Sequence, residues 1–172
     1  MLDSLRRLLV LALVVVTIVF CLPAEAASQK KASRILVKKS AHTRQLLGPS
    51  DEVLASYRVS IGPGGAGHKR MEGDQVTPIG RYHVTLRHPS RFKIFMRLDY
   101  PNARDRERFA RAKRAGELPA GATIGGDIGI HGGTPASLRG EDWTLGCVAV
   151  DDDEILAIAR LVPDGVIVDI ED

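Results

Sequence analysis

Two residues in the C-terminal third of the chain have types that can share nucleophilic chemistry. Cys147 lies in Asp142-Trp143-Thr144-Leu145-Gly146-Cys147-Val148-Ala149-Val150, and His131 lies in Ile130-His131-Gly132-Gly133-Thr134. A thiol acts at neutral pH only when a base takes its proton or its pKa is lowered. Histidine is the usual base. Cys147 follows a glycine and opens an apolar run, and His131 closes an apolar run at a glycine pair. Glycine allows a tight turn and close approach of a ligand to the backbone. Two adjacent strand ends would bring both side chains to one rim of a sheet, where backbone N–H groups can face a developing oxyanion. The residues alone leave a second reading open: a free cysteine is most often a small buried hydrophobe, and a histidine before glycines can simply occupy a turn.

Other candidate sites carry less. Gly62-Pro63-Gly64-Gly65-Ala66-Gly67 matches G-x-G-x-x-G, but His68 to Asp74 have no apolar helical period. A dinucleotide site needs that helix, so a loop is expected. His131, Cys147 and Asp142 make too few ligands for structural zinc, and no C-x-x-C or H-x-x-x-H pairing accompanies them. No metal is therefore expected. Residues 104 to 117 carry Arg104, Arg106, Arg108, Arg111, Lys113 and Arg114 among Asp105, Glu107 and Glu117. This reads as a solvated helix face with i,i+4 pairs, in preference to a basic lid over an anionic polymer.

The N-terminus sets the compartment. Arg6 and Arg7 precede an apolar run from Leu8 to Leu22, and Pro23-Ala24-Glu25-Ala26-Ala27 follows with small residues at A-x-A spacing. The run is shorter than the roughly 20 residues of a bilayer span. Residues 1 to 26 are read as a secretory signal peptide, with an uncleaved anchor as the alternative. The expected location is the periplasm or cell envelope, with no membrane contact beyond that segment. Its removal takes two basic and two acidic residues, so the net charge stays at +3. It also takes Cys21, leaving Cys147 as the single thiol, without an internal disulfide partner. The pI near 9.0 suits an anionic partner without requiring one. Five per cent aromatics and an export signal both argue against nucleic acid.

The elements that must position these residues are mostly strands. Residues 27 to 33 read as a short polar lead-in, and 34 to 172 as one domain. Strands are expected at 34–39, 45–47, 53–61, 80–86, 92–98 and 166–170, from alternating or short apolar runs bounded by Gly/Pro turns. Residues 124–130 and 147–150 are short apolar runs bounded by glycines. Helices are expected at 102–115 and 151–161, the latter with Asp151 as N-cap and Glu154 at the capping-box position. Many strands and two helices predict a mostly β (α+β) single domain, a β-sandwich.

Taken together, these elements resemble the L,D-transpeptidase catalytic domain (YkuD-like) family. The matching pieces are Gly-Asp-x-x-Thr-Pro-x-Gly-x-Tyr at 73 to 82, His131-Gly132, and Thr144-x-Gly146-Cys147, with the cysteine sixteen residues after the histidine. The resemblance implies that Cys147 attacks a peptide bond of a peptidoglycan stem, usually between meso-diaminopimelate and D-alanine. A thioester forms, and an amine of a second stem takes the acyl group. It implies His131 as proton donor and acceptor, and the N–H groups of Gly146 and Cys147 as oxyanion donors. Gly132, Trp143 and Thr144 are the expected substrate-binding residues, and no metal or organic cofactor is implied.

The sequence also departs from the family's pattern. Typical members read Ser-His-Gly-Cys-x-Arg, whereas here Leu145 replaces the histidine and Ala149 the arginine. Asp-Trp-Thr-x-Gly-Cys-x-Ala-Val, with Tyr100-Pro101-Asn102, is similar to a sub-branch named for the murein enzyme YafK. Two other readings stand beside transfer. One is hydrolysis by the same cysteine, trimming stems or releasing a wall-linked protein. The other is a wall-binding module with an inert thiol.

Overall fold

The computed structural model describes residues 30–135, 138 and 141–172. The expected signal peptide lies outside the described residues. Among those described, no helix is long and apolar enough to cross a membrane. Of the polar lead-in, Ala32 is already buried and its N–H donates to Leu161 O at 2.8 Å.

Eight strands and two helices follow in chain order: β1 (Arg34–Lys38), β2 (Thr43–Leu47), β3 (Val53–Arg58), β4 (Gly80–Ser90), β5 (Lys93–Leu98), α1 (Ala103–Arg114), β6 (Gly129–His131), β7 (Val148–Ala149), α2 (Asp152–Leu161) and β8 (Ile167–Glu171). The sheet order is β3-β2-β1-β8-β4-β5-β6-β7. β4 belongs to both halves: residues 80–83 pair with β8, and the ladder to β5 runs from Val84 to Ser90. A register irregularity between Val84 and Leu86 marks the change of partner, which is where bulged strands bend. At the far ends, Ser60 just beyond β3 bridges Ala149 in β7, with N–H···O bonds of 2.9 and 2.8 Å. The curled sheet thus comes close to closing on itself, and the expected sandwich is two halves of one sheet.

Alternation explains the core. Ile35 and Val37 of β1, Tyr82 and Val84 of β4, Met96 and Leu98 of β5, and Val168 and Ile170 of β8 all enter one apolar cluster. α2 adds Ile155, Ile158 and Leu161 to it. Its start carries the expected reach-back, Asp151 N–H donating to Glu154 Oε2 at 3.2 Å. α1 is held differently. Its one buried residue is Asp105, which accepts from Tyr82 OH at 3.2 Å and Asn102 N–H at 3.0 Å and pairs with Arg108. The helix is a mixed-charge surface element, as its composition suggests.

β4 differs from expectation in running on to Ser90 and turning through Arg91 and Phe92 into β5. Beyond Val84 no residue of β4 is fully buried, so the apolar alternation that marks a strand in the sequence stops while the ladder continues.

Candidate active site

β6 and β7 lie parallel, with His131 opposite Ala149. Cys147 stands two residues before Ala149 in the same run, so it shares a face with His131. Both side chains line one cavity of about 540 Å³, together with Trp143, Thr144, Leu145 and Ile128. The expected pair is therefore brought together at a sheet rim.

The imidazole is tightly placed. His131 is buried, and its Nδ1 lies 2.6 Å from Gly132 O. A carbonyl can only accept, so Nδ1 carries the proton and Nε2 is the unprotonated nitrogen. Phe92 stacks on the ring at 4.4 Å between centroids, Phe95 lies nearly parallel at 6.0 Å, and Trp143 meets it edge-on at 5.9 Å. This apolar surround lowers the His131 pKa below the ordinary histidine value. The Gly132 carbonyl works against the lowering and the Arg91 charge adds to it.

The thiol is half-buried, and Sγ donates to Asp127 O at 3.6 Å. Burial raises its pKa above the ordinary thiol value. A Gly129 backbone contact and the Lys69 ammonium pull it back only in part, and the Asp127 charge adds to the rise. Burial thus works against the charged form of both groups.

The turn before Cys147 is fixed from both sides. Asp142 Oδ1 accepts from Ile61 N–H at 3.1 Å and lies 2.9 Å from His42 Nε2. Thr144 N–H donates to Ile61 O at 3.1 Å. Thr144 Oγ1 donates to Cys147 O at 2.7 Å and accepts from Gly146 N–H at 3.2 Å. Gly146 has φ +120°, and a Cβ there would lie 2.8 Å from Val76 O, so this position requires glycine.

These contacts place each of the expected residues. The Gly146 N–H, expected as an oxyanion donor, is held by Thr144 Oγ1. The Cys147 N–H has no such partner among the described residues and is the donor left available. Thr144 is a buried brace for the turn, although it borders the cavity. Gly132 faces protein: a Cβ there would lie 2.7 Å from both Phe92 O and Ile155 Cγ2. Its carbonyl orients His131, and its N–H donates to Phe92 O at 3.1 Å. Trp143 lines the cavity and meets the His131 ring edge-on. Asp142, weighed as a zinc ligand, is engaged with His42 and Ile61. No His/Cys/Asp/Glu cluster among the described residues is arranged for a metal.

The wall facing this pair has no helical or strand periodicity in its sequence. It consists of Lys69, Glu72, Gly73 and Gln75, while Arg91, Phe92 and Phe95 of the β4–β5 hairpin line the cavity on the His131 side. Asp74 organises it, accepting from the N–H groups of Arg70 (2.7 Å), Met71 (3.1 Å) and Val76 (3.0 Å) and from Lys69 Nζ (2.6 Å). Thr77 Oγ1 accepts from Gly62 N–H at 3.0 Å. The Gly-Asp-x-x-Thr-Pro segment, one of the pieces that carry the family resemblance, thus holds this wall together. His68 borders a separate hollow of about 320 Å³ beside α1.

The model of the L,D-transpeptidase catalytic domain family, YkuD, matches residues 32–170. The chain belongs to this family. No curated protein matches it. Among solved structures, the helical cell shape determining protein Pgp2 from Campylobacter jejuni is similar with a TM-score of 0.61 and 21% identity, over 83% of this chain and 48% of that one. Bd1075 from Bdellovibrio bacteriovorus gives 0.56 and 21%, over 81% and 48%. An L,D-transpeptidase from Mycobacterium smegmatis gives 0.55 and 14%, over 82% and 59%. At these identities the likeness is one of fold. The chain spans about half the length of the first two.

Proposed function

We propose that this L,D-transpeptidase domain acts on peptidoglycan stem peptides in the cell envelope through a Cys147 thioester. The observation that carries the reading is the pairing of His131 and Cys147 in one cavity, with the His131 tautomer fixed by Gly132 so that Nε2 is free to accept a proton. Nε2 takes the thiol proton as Sγ attacks the scissile carbonyl carbon. The Cys147 N–H supports the resulting oxyanion. His131 returns the proton to the departing amine, the C–N bond breaks and the thioester remains. An acceptor amine then attacks the thioester carbonyl and passes a proton to Nε2; the C–S bond breaks, the new amide departs, and Sγ takes the proton back from Nε2.

Hydrolysis by the same route is favoured by one feature. Ala149 is fully buried and Leu145 is 74% exposed beside the cavity, so neither supplies a polar group for an acceptor. Orienting a bound nucleophile can be worth effective molarities of about 10⁵ M, so a formed acceptor site overwhelms water. The test is mass spectrometry of products from a labelled stem donor incubated with residues 27–172, with and without excess amine acceptor. Cross-linked product is expected. Predominant hydrolysis at saturating acceptor would make the protein a stem hydrolase or a releaser of wall-linked protein. Unchanged donor would refute the peptidoglycan reading.

A further inference from the structure

Lys69 stands on the cavity wall opposite His131 and has no part in the steps above. Its side chain is only 3% exposed, yet it borders the cavity that holds Cys147. A buried ammonium has three N–H donors, and leaving them unused is costly. Asp74 Oδ1 takes one at 2.6 Å and is its only hydrogen-bond partner among the described residues. Asp74 in turn is tied down by three backbone N–H groups, so the ion pair holds the ammonium in place. A Cβ built on Gly146 would lie 3.6 Å from Nζ, which puts the charge over the residue preceding the nucleophile. The two positions where typical family members carry a histidine and an arginine are apolar here, Leu145 and Ala149.

We infer that Lys69 is the specificity-determining cation of this site, its spare N–H groups binding the free α-carboxylate of the residue that departs when the thioester forms. This rests on Cys147 being the nucleophile. In a substrate cut one residue from its end, that carboxylate lies one residue pitch, about 3.8 Å, beyond the scissile carbonyl. A cation one residue from the nucleophile matches that reach. A carboxylate offers acceptor sites for both spare donors as charge-assisted bonds, whereas a backbone carbonyl lacks the charge. Lys69 would thereby select stems ending just past the scissile bond.

Alkylation of Cys147 tests this without turnover. Iodoacetate and iodoacetamide have nearly the same shape and differ in charge, and both meet the same thiolate. Their rate ratio therefore cancels any change in thiol pKa. Lys69→Met should lower the iodoacetate-to-iodoacetamide ratio on the order of tenfold or more, while Arg91→Met, on the His131 side, changes it less. In the wild-type protein, N-acetyl-D-alanine should slow alkylation and its amide should not, a measurement that holds even if Lys69→Met fails to fold. An unchanged ratio in a folded Lys69→Met protein, a larger fall in Arg91→Met, or equal protection by acid and amide would overturn the inference. Lack of peptide turnover would instead count against the transpeptidase reading and leave the alkylation result standing.

Discussion

The cavity wall that carries Cys147 and His131 is made of strand ends, whereas the wall facing it, residues 69 to 76, has no regular secondary structure. In the first, backbone pairing of β6 with β7 places His131 and Cys147 relative to each other. In the second, one carboxylate gathers three N–H groups and a buried lysine. A ladder tolerates many side chains, but a loop wound on Asp74 depends on that one residue. Chemistry should therefore fail first on the ladder wall, and architecture first on the loop wall.

The largest effect is expected at the nucleophile. Cys147→Ser should fold normally and lose turnover by at least about 10⁴-fold, the scale seen when a nucleophile is removed from a coupled pair. Steady-state rates on a folded variant check this, and near-normal activity would break the assignment. His131→Ala should cost on the order of 10² to 10⁴ in turnover, while His42, His83 and His88 tolerate replacement far better. A crippling effect at His68 with a mild one at His131 would take the role of base away from His131.

Asp74→Ala should act mainly on stability. It strands the Lys69 ammonium and frees three backbone donors, a loss of about 3 kcal/mol by analogy with broken buried ion pairs. Thermal unfolding measures it. The pH dependence has a definite sign. Burial opposes ionisation of Asp74, but Lys69 and the three N–H donors outweigh it, so the folded-state pKa is lowered. The stability it contributes is present above the unfolded value of about 3.9 and is lost as pH falls through the folded value. Asp74→Asn should flatten stability in that acid window. Thr144→Val should have the smallest effect, about 1 to 2 kcal/mol from the buried bonds it loses. Its activity should fall less than that of His131→Ala, because Thr144 braces the turn without meeting the reacting atoms.

The two walls also differ in how far they can be read from residues. β1, β8 and α2 announce themselves by alternation and by the Asp151–Glu154 spacing. Cys147 and His131 stand out because both sit where apolar runs meet glycine. The loop wall carries no periodicity: its order comes from side-chain-to-backbone bonds of Asp74 that span only a few residues and resemble any turn. Phe92 and Phe95 read as strand residues, and only the β5–β6 register and the ring contacts reveal that they enclose His131. Gly132 and Thr144 are named as substrate-binding residues by the resemblance; their hydrogen bonds to His131 and to the turn before Cys147 cannot be read from residue types. The distal half of β4 is hidden by its exposure on both faces.

The electrostatics of the ladder wall make one more prediction. With the thiol raised by burial and the imidazole lowered, alkylation of Cys147 by iodoacetamide should climb with pH above the ordinary thiol range. A plateau of reactivity between about pH 5 and 7 would instead reveal a preformed ion pair, as in cysteine enzymes whose thiol pKa is strongly depressed.

In the proposed reaction Cys147 carries the acyl group. Acid-quenched mass spectrometry of residues 27–172 mixed with a stem tetrapeptide donor, followed by mapping of the modified peptide, reads this directly. An acyl adduct is expected on the peptide containing Cys147, released by hydroxylamine and absent when the thiol has first been alkylated. Donor cleavage that continues at full rate after Cys147 is alkylated would contradict it.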